Sequence, residues 1–210
     1  MRYCIVFLLI FVLGSCKTDK KSDHKSVETS SENELVEGRE METQKNFAAI
    51  GLGYALATKA QLGKNLMKAI QEKGTVGAIG FCTINALKLT DSMAVLKKAV
   101  IKRVSDKPRN PDNQAKEDEL DYISSFKKIM EAGDMAQPIV KRNKGEVAFY
   151  APIITNAMCL QCHGKPNEQI EPATLKALKD LYPSDKAIGY DMNEVRGIWS
   201  IHFKEDITEF

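Results

Sequence analysis

The sequence predicts an α+β fold, because amphipathic helices stand beside a hairpin and further short strands without the regular strand-helix repeat of a parallel sheet. Three observations carry this. Apolar residues recur at helical spacing over residues 47–70 (Phe47, Ile50, Tyr54, Leu62, Leu66, Ile70) and again over 76–96 (Val76, Ile79, Cys82, Ala86, Leu89, Met93, Leu96). Residues 139–142 and 146–150 flank Asn143-Lys144-Gly145, the pattern of a hairpin with a glycine turn. Residues 196–203 set Ile198, Ser200 and His202 against Gly197, Trp199, Ile201 and Phe203, the alternation of a half-buried strand.

Taken in order, Arg2 and the apolar run 3–13 lead into Gly14-Ser15-Cys16, with the charge, length and small-residue ending of a secretory signal. The run is shorter than the roughly 20 apolar residues that span a bilayer. Leu13-Gly14-Ser15-Cys16 resembles a bacterial lipobox, so residues 1–15 are expected to leave as a signal peptide and Cys16 to carry the lipid that anchors the protein to a membrane. Residues 16–45, rich in Lys, Ser, Glu and Thr, hold too few apolar side chains to offset the entropy of ordering, which predicts a flexible charged tether. Residues 46–210 suffice for one globular domain. Within it Gly74 separates the two helices, and the β-branched stretch 99–104 reads as a strand. Lys107-Pro108-Arg109-Asn110-Pro111-Asp112-Asn113 is a loop, residues 117–132 form a helix, and a short helix over 172–181 follows the hairpin.

Composition narrows the function classes. The formal charge is +2 with no concentrated basic face, which removes the electrostatic basis for a nucleic-acid partner. Gly51-Leu52-Gly53 lacks a third glycine and a preceding strand, so it is no dinucleotide fingerprint.

The chemistry is concentrated in Cys159-Leu160-Gln161-Cys162-His163, the spacing by which two thiols capture haem vinyl groups while the adjacent imidazole ligates the iron. One covalent haem c is therefore expected, attached in the middle-to-C-terminal part of the chain. Half of a zinc site and a redox-active Cys-x-x-Cys are the competing readings. Zinc needs four ligands, yet only Cys82, His24 and His202 remain outside the motif and none forms a second close pair. A thioredoxin-like motif belongs in a βαβ unit, a pattern this chain lacks. Export and haem attachment agree, because bacterial proteins with this motif receive the cofactor outside the inner membrane. Cysteine usage closes accordingly: Cys4 leaves with the signal, Cys16 takes lipid, Cys159 and Cys162 take haem, and Cys82 stays free, so no disulfide is predicted.

The residues leave the second axial position open among His24, His202, Met67, Met93, Met130, Met135 and Cys82. Several motifs in order bear on it: Ala78-Ile79-Gly80-Phe81-Cys82, Arg103-Val104-Ser105-Asp106-Lys107-Pro108-Arg109, Tyr150-Ala151-Pro152-Ile153, the haem motif with Gly164, and Tyr182-Pro183-Ser184-Asp185-Lys186-Ala187-Ile188-Gly189-Tyr190 with Arg196-Gly197. With these the chain resembles a bacterial family of c-type haem domains, found alone or fused to sensor kinases. The resemblance implies a PAS-like antiparallel sheet with flanking helices, and axial ligation of iron by His163 and Cys82. It also marks Arg103, Arg109 and Arg196 as arginines suited to fork onto haem propionates. The chain departs from the family at Asn85-Ala86-Leu87, where an Ala-Pro feature is usual.

The expected function is that of a lipid-anchored haem protein on the periplasmic side of a bacterial envelope. It would transfer electrons to or from a partner protein at the low potential that thiolate ligation confers. The alternative is a redox or gas sensor, in which CO or NO displaces the thiolate and a separate partner reads the change. Peroxidase-like or nitrogen-oxide catalysis is not expected, since the sequence offers no distal His/Arg pair.

Overall fold

The computed structural model describes residues 25–143 and 145–204, with side chains from Glu37 onward. The expected signal 1–15, the lipidation site Cys16 and His24 lie outside the described residues. In chain order the elements are α1 (Lys25–Leu96), β1 (Ala99–Val104), α2 (Glu117–Glu131), β2 (Ile139–Asn143), β3 (Glu146–Ile154), α3 (Ala157–His163), α4 (Pro172–Leu181) and β4 (Val195–Phe203). The sheet and everything that packs on it belong to the unit that begins at Met41.

Helix α1 corrects one expectation, for residues 25–45 are helical rather than a structureless tether. Glu, Lys, Met and Gln are strong helix formers, so scarcity of apolar side chains forbids burial without forbidding the helix. Residues 37–42 accordingly keep their side chains exposed. The break expected near Gly74 is present as a kink, where φ 66° and ψ −179° interrupt an otherwise helical run. That backbone conformation suits glycine alone, because a Cβ would meet the neighbouring carbonyl.

The four strands form one antiparallel sheet in the order β1-β4-β3-β2. Phe47 and Ala55 of α1 pack on Ile101, Phe149, Trp199, Ile201 and Phe203 on one face. Ile123 and Phe126 of α2 pack on Val104, Ala148, Tyr150 and Ile198, which alternate to the other face. The result is the α+β, PAS-like arrangement of an antiparallel sheet with flanking helices. β4 differs from its predicted half-buried state: Ile198, Ser200 and Ile201 are all fully buried. The reason is its central place, with β1 on one side, β3 on the other and a helix over each face. Val76 and Leu96, expected on the buried stripe, are 45% and 70% exposed, because the second arm of α1 buries only the narrower line through Ala78, Ile79 and Thr90.

The register brings three strand ends together. β1 ends at Val104 opposite Ile198, β3 ends at Ile154 opposite Val195, and β4 begins there. Ser105 follows β1, and its Oγ accepts from Arg196 Nη1 at 2.8 Å while donating to the Arg196 carbonyl at 2.8 Å. Gly197 permits this approach, since a Cβ there would collide with the Val104 carbonyl oxygen and stand 3.2 Å from Ser105 Cβ. The obstacle is backbone, so the strands themselves must part. Gly197→Ala is expected to destabilise the domain by about 1–3 kcal/mol, read as a lowered midpoint of urea unfolding with an unchanged slope.

Candidate cofactor site

The site is built on α3, whose seven residues contain the whole Cys-x-x-Cys-His motif. Asn156 caps this helix by accepting from the Cys159 backbone N–H at 3.2 Å, and the Gly164 N–H closes it on the Leu160 carbonyl. Cys159, Cys162 and His163 stand at i, i+3 and i+4, which puts two thiols and an imidazole on one face.

Residues 185–190 lie along the end of this helix and orient the ring. The Tyr190 N–H donates to the His163 carbonyl at 2.9 Å, the Gly189 N–H to the Gly164 carbonyl at 2.8 Å, and His163 Nδ1 lies 2.7 Å from the Ala187 carbonyl oxygen. At that distance Nδ1 must carry the proton and donate it. Nε2 is left with its lone pair, the tautomer that a metal ligand requires. Burial, followed by the charges of Arg109 and Arg196, holds His163 well below the ordinary imidazole pKa, so the ring is neutral near pH 7.

Arg109 fastens the two segments to each other. Its Nε donates to Asp185 Oδ2 at 3.0 Å, and one Nη donates to the carbonyls of both Cys162 and Ala187. Asp185 in turn accepts from the Ala187 N–H at 2.7 Å. Arg109, marked by sequence as a propionate contact, thus has its Nε and one Nη engaged by the protein. Arg196 is held through Nη1 on Ser105, and its Nε stands 3.3 Å from His163 Nδ1, which already donates to Ala187. Arg103 is different: among the described residues its Nε is buried without a hydrogen-bond partner, as is the Tyr190 hydroxyl.

Cys82 reaches this cluster from α1. The kink at Gly74 starts a new arm, on which Ile79 packs with Cys162, Ile170 and Leu178. One turn further, the Thr83 hydroxyl donates to Tyr182 Oη at 2.9 Å, and Thr75 Oγ1 meets Gln161 Oε1 at 3.5 Å. Cys82 shares that face, being three residues from Ile79. Burial pushes its thiol pKa up, against the opposing pull of Arg103 and Arg109. Burial likewise raises Cys162 to about 11, with Arg109 opposing and Cys82 adding to the rise. The two sulfurs therefore sense each other.

The other candidates for an axial position fall elsewhere. Met67 and Met135 are exposed, while Met93 and Met130 fill the two cores beside the sheet. His202 sits six residues along β4 from Arg196, about 20 Å at strand rise, where it faces Tyr150 edge-on at 6.1 Å. Among the described residues no three His, Cys, Asp or Glu side chains are placed so as to hold a metal ion by themselves. Zinc is poorly served by such a set. A planar, anionic group that brings most of its own metal ligands would be better served by it: two thiols and an imidazole on α3, the Cys82 thiol nearby, and buried donors without partners.

Sequence reasoning marked the motif, Cys82 and the three arginines, and the structure places them in one region. It missed Ser105, Asp185, Ala187 and Tyr190, whose parts are hydrogen bonds across 24 to 91 residues of sequence. No local pattern signals those.

The family described as Tll0287-like matches residues 24–203 of the chain. Among solved structures, the crystal structure of the cyanobacterial heme-protein Tll0287 is similar, with a TM-score of 0.56 and 21% sequence identity over 73% of this chain and 94% of that one. At that identity the likeness speaks for the fold. No curated protein matches.

Proposed function

The chain belongs to the Tll0287-like family, and from that premise we propose that it is a c-type haem protein of a bacterial envelope that carries electrons. Cys159 and Cys162 would hold the porphyrin through thioether bonds, and His163 and Cys82 would ligate its iron. The observation that carries this reading is the convergence on one helix face of Cys159, Cys162 and a His163 whose Nδ1 is held by Ala187, with Cys82 brought against them.

Bound there, the haem supplies a one-electron couple between ferric and ferrous iron. The chain's own residues do the rest. Ala187 fixes the His163 ring so that Nε2 points away from the backbone, and Arg109 prevents residues 162 and 187 from drifting apart. The buried Arg103 Nε and Tyr190 hydroxyl fit the propionates, since each lacks a partner that an anionic oxygen would provide. Two protein ligands, with no distal acid-base pair among the described residues, suit outer-sphere transfer better than catalysis; His202, the other described histidine, is remote. An anchor at Cys16 would keep the protein on the periplasmic side within reach of redox partners.

A second reading, the redox or gas sensor, draws on the way Cys82 is held. Its arm is joined to α3 and Tyr182 by side-chain contacts through Thr75 and Thr83, which a displaced thiolate could disturb. CO or NO binding to the reduced holoprotein, with loss of the thiolate spectrum, would favour it over the carrier.

The test of the shared premise is maturation in an export-competent host equipped for cytochrome c assembly. Wild-type protein is expected to be red and to carry the mass of one haem through denaturation. Cys159→Ala and Cys162→Ala together should abolish the covalent adduct. Colourless wild-type protein without added mass would refute the proposal.

A further inference from the structure

We infer that Arg196 raises the reduction potential of the bound iron by holding a fixed positive charge against the non-ligating edge of His163. The inference rests on the haem reading above, and it assigns Arg196 a tuning role distinct from the propionate contact expected of it.

The guanidinium sits where such a charge acts most directly. Nε lies 3.3 Å from His163 Nδ1, the nitrogen that already donates to Ala187. An N–H is thus aimed at a ring atom that cannot accept it, and a cation adjoins the imidazole with no bond to relieve the repulsion. Imidazole basicity falls under such a charge, and the ligated iron gains positive charge less readily. The same field contributes to holding His163 neutral in the protein alone.

Arg196 is held there by three features. Ser105 Oγ accepts from Nη1 at 2.8 Å and donates back to the Arg196 carbonyl, so side chain and main chain are fixed together. The Tyr190 ring lies 5.4 Å from the guanidinium carbon. Gly197 lets β4 approach β1 closely enough for both contacts. Arg109 is neutralised by Asp185 at 3.0 Å, whereas no described carboxylate forms an ion pair with Arg196. Arg196 thus brings to the histidine a guanidinium with no described carboxylate in ion-pair contact, and it opposes the thiolate of Cys82, which favours ferric iron.

The step is a single electron added to ferric iron, delivered in the test by dithionite through soluble mediators, with no bond made or broken in the protein. Potentiometric titration of the holoprotein should show Arg196→Gln shifted towards the oxidised form at least tenfold in the equilibrium ratio, 59 mV for one electron. Arg196→Lys should stay near wild type, because it keeps the charge. Ser105→Ala, which frees the guanidinium from its aim, should shift in the same direction by less. The proposal is overturned if Arg196→Gln keeps the wild-type potential, or if Arg196→Lys falls as far as Gln, which would make shape rather than charge responsible. Should Arg196→Gln fail to yield folded holoprotein, Ser105→Ala decides by the same criterion: a lowered potential supports the proposal and an unchanged one overturns it. A wild type that binds no haem would instead defeat the reading beneath it, so the two failures are distinguishable. Nitrogen-15 NMR of His163 in the haem-free protein gives an independent readout, with the Nδ1 resonance expected to move on Arg196→Gln and to stay on Arg196→Lys.

Discussion

Cys82→Ala is expected to raise the reduction potential of the holoprotein by on the order of 100 mV or more, while haem stays covalently attached through Cys159 and Cys162. A thiolate donates electron density and stabilises ferric iron, so its removal favours the reduced state. The ferric spectrum should change at the same time, from six-coordinate low-spin with a thiolate signature to a form with water or no ligand opposite His163. Electron paramagnetic resonance and an optical redox titration of the variant beside wild type check both. Cys82 is poised for this part by opposed influences. Burial raises its pKa, so without metal the thiol is protonated near pH 7, while Arg103 and Arg109 favour the anion that forms on ligation. Binding must therefore release a proton. The sign for pH follows directly: ligation by Cys82 is complete at high pH and is lost as pH falls, because the proton competes with iron for the sulfur. An acid titration of the ferric spectrum should show the thiolate signature disappearing in wild type and no corresponding transition in Cys82→Ala. If the variant keeps both potential and spectrum, Cys82 is not a ligand.

Arg109→Met is expected to cost about 3–5 kcal/mol, the range for removing one partner of a buried ion pair and leaving the other charged. Arg109 and Asp185 are 13% and 10% exposed, too little for solvent to replace the lost partner. The guanidinium also bonds the carbonyls of Cys162 and Ala187, so the loss falls on the segment that orients His163. Arg109→Lys should recover little, since an ammonium cannot fork to Asp185 and to two carbonyls on different segments. Asp185→Asn placed in the Arg109→Met background should recover part of the loss by removing the stranded charge. Urea unfolding of the haem-free proteins measures each term without the cofactor. A loss below about 1 kcal/mol, the ceiling for exposed pairs, would show that Arg109 is no clamp.

The local elements were legible because each is bounded by chemistry that the sequence displays. Pro172 opens α4 and the loop around Pro108 and Pro111 follows β1, so boundaries there match the predicted ones. The hairpin of β2 and β3 matched because Gly145 takes φ 87° at its turn. What escaped depended on neighbours. Alternation in β4 showed which residues share a face, yet nothing in those nine residues shows that both faces are covered; that follows from β4 lying between β1 and β3. Residues 25–45 were read for burial, and their helical propensity was overlooked. At the site, thiols, imidazole and arginines were visible as residue types with known chemistry. The assignment of each arginine was not, because it is decided by whether a partner such as Asp185, Ser105 or the Ala187 carbonyl stands nearby.

The central position of β4 orders the assembly of the protein in time. β1 pairs only with β4, about a hundred residues away, and β4 is the last of the described strands to be synthesised. Long-range pairing of this kind is slow, since loop closure precedes any gain from the contacts. Ala187, Asp185 and Arg196 also follow α3 in the chain, so on the proposed exported chain the two thiols would emerge before the segment that walls them in. Machinery attaching haem to the extended chain would then meet Cys159 and Cys162 accessible, and arrival of the final strand would seal the product.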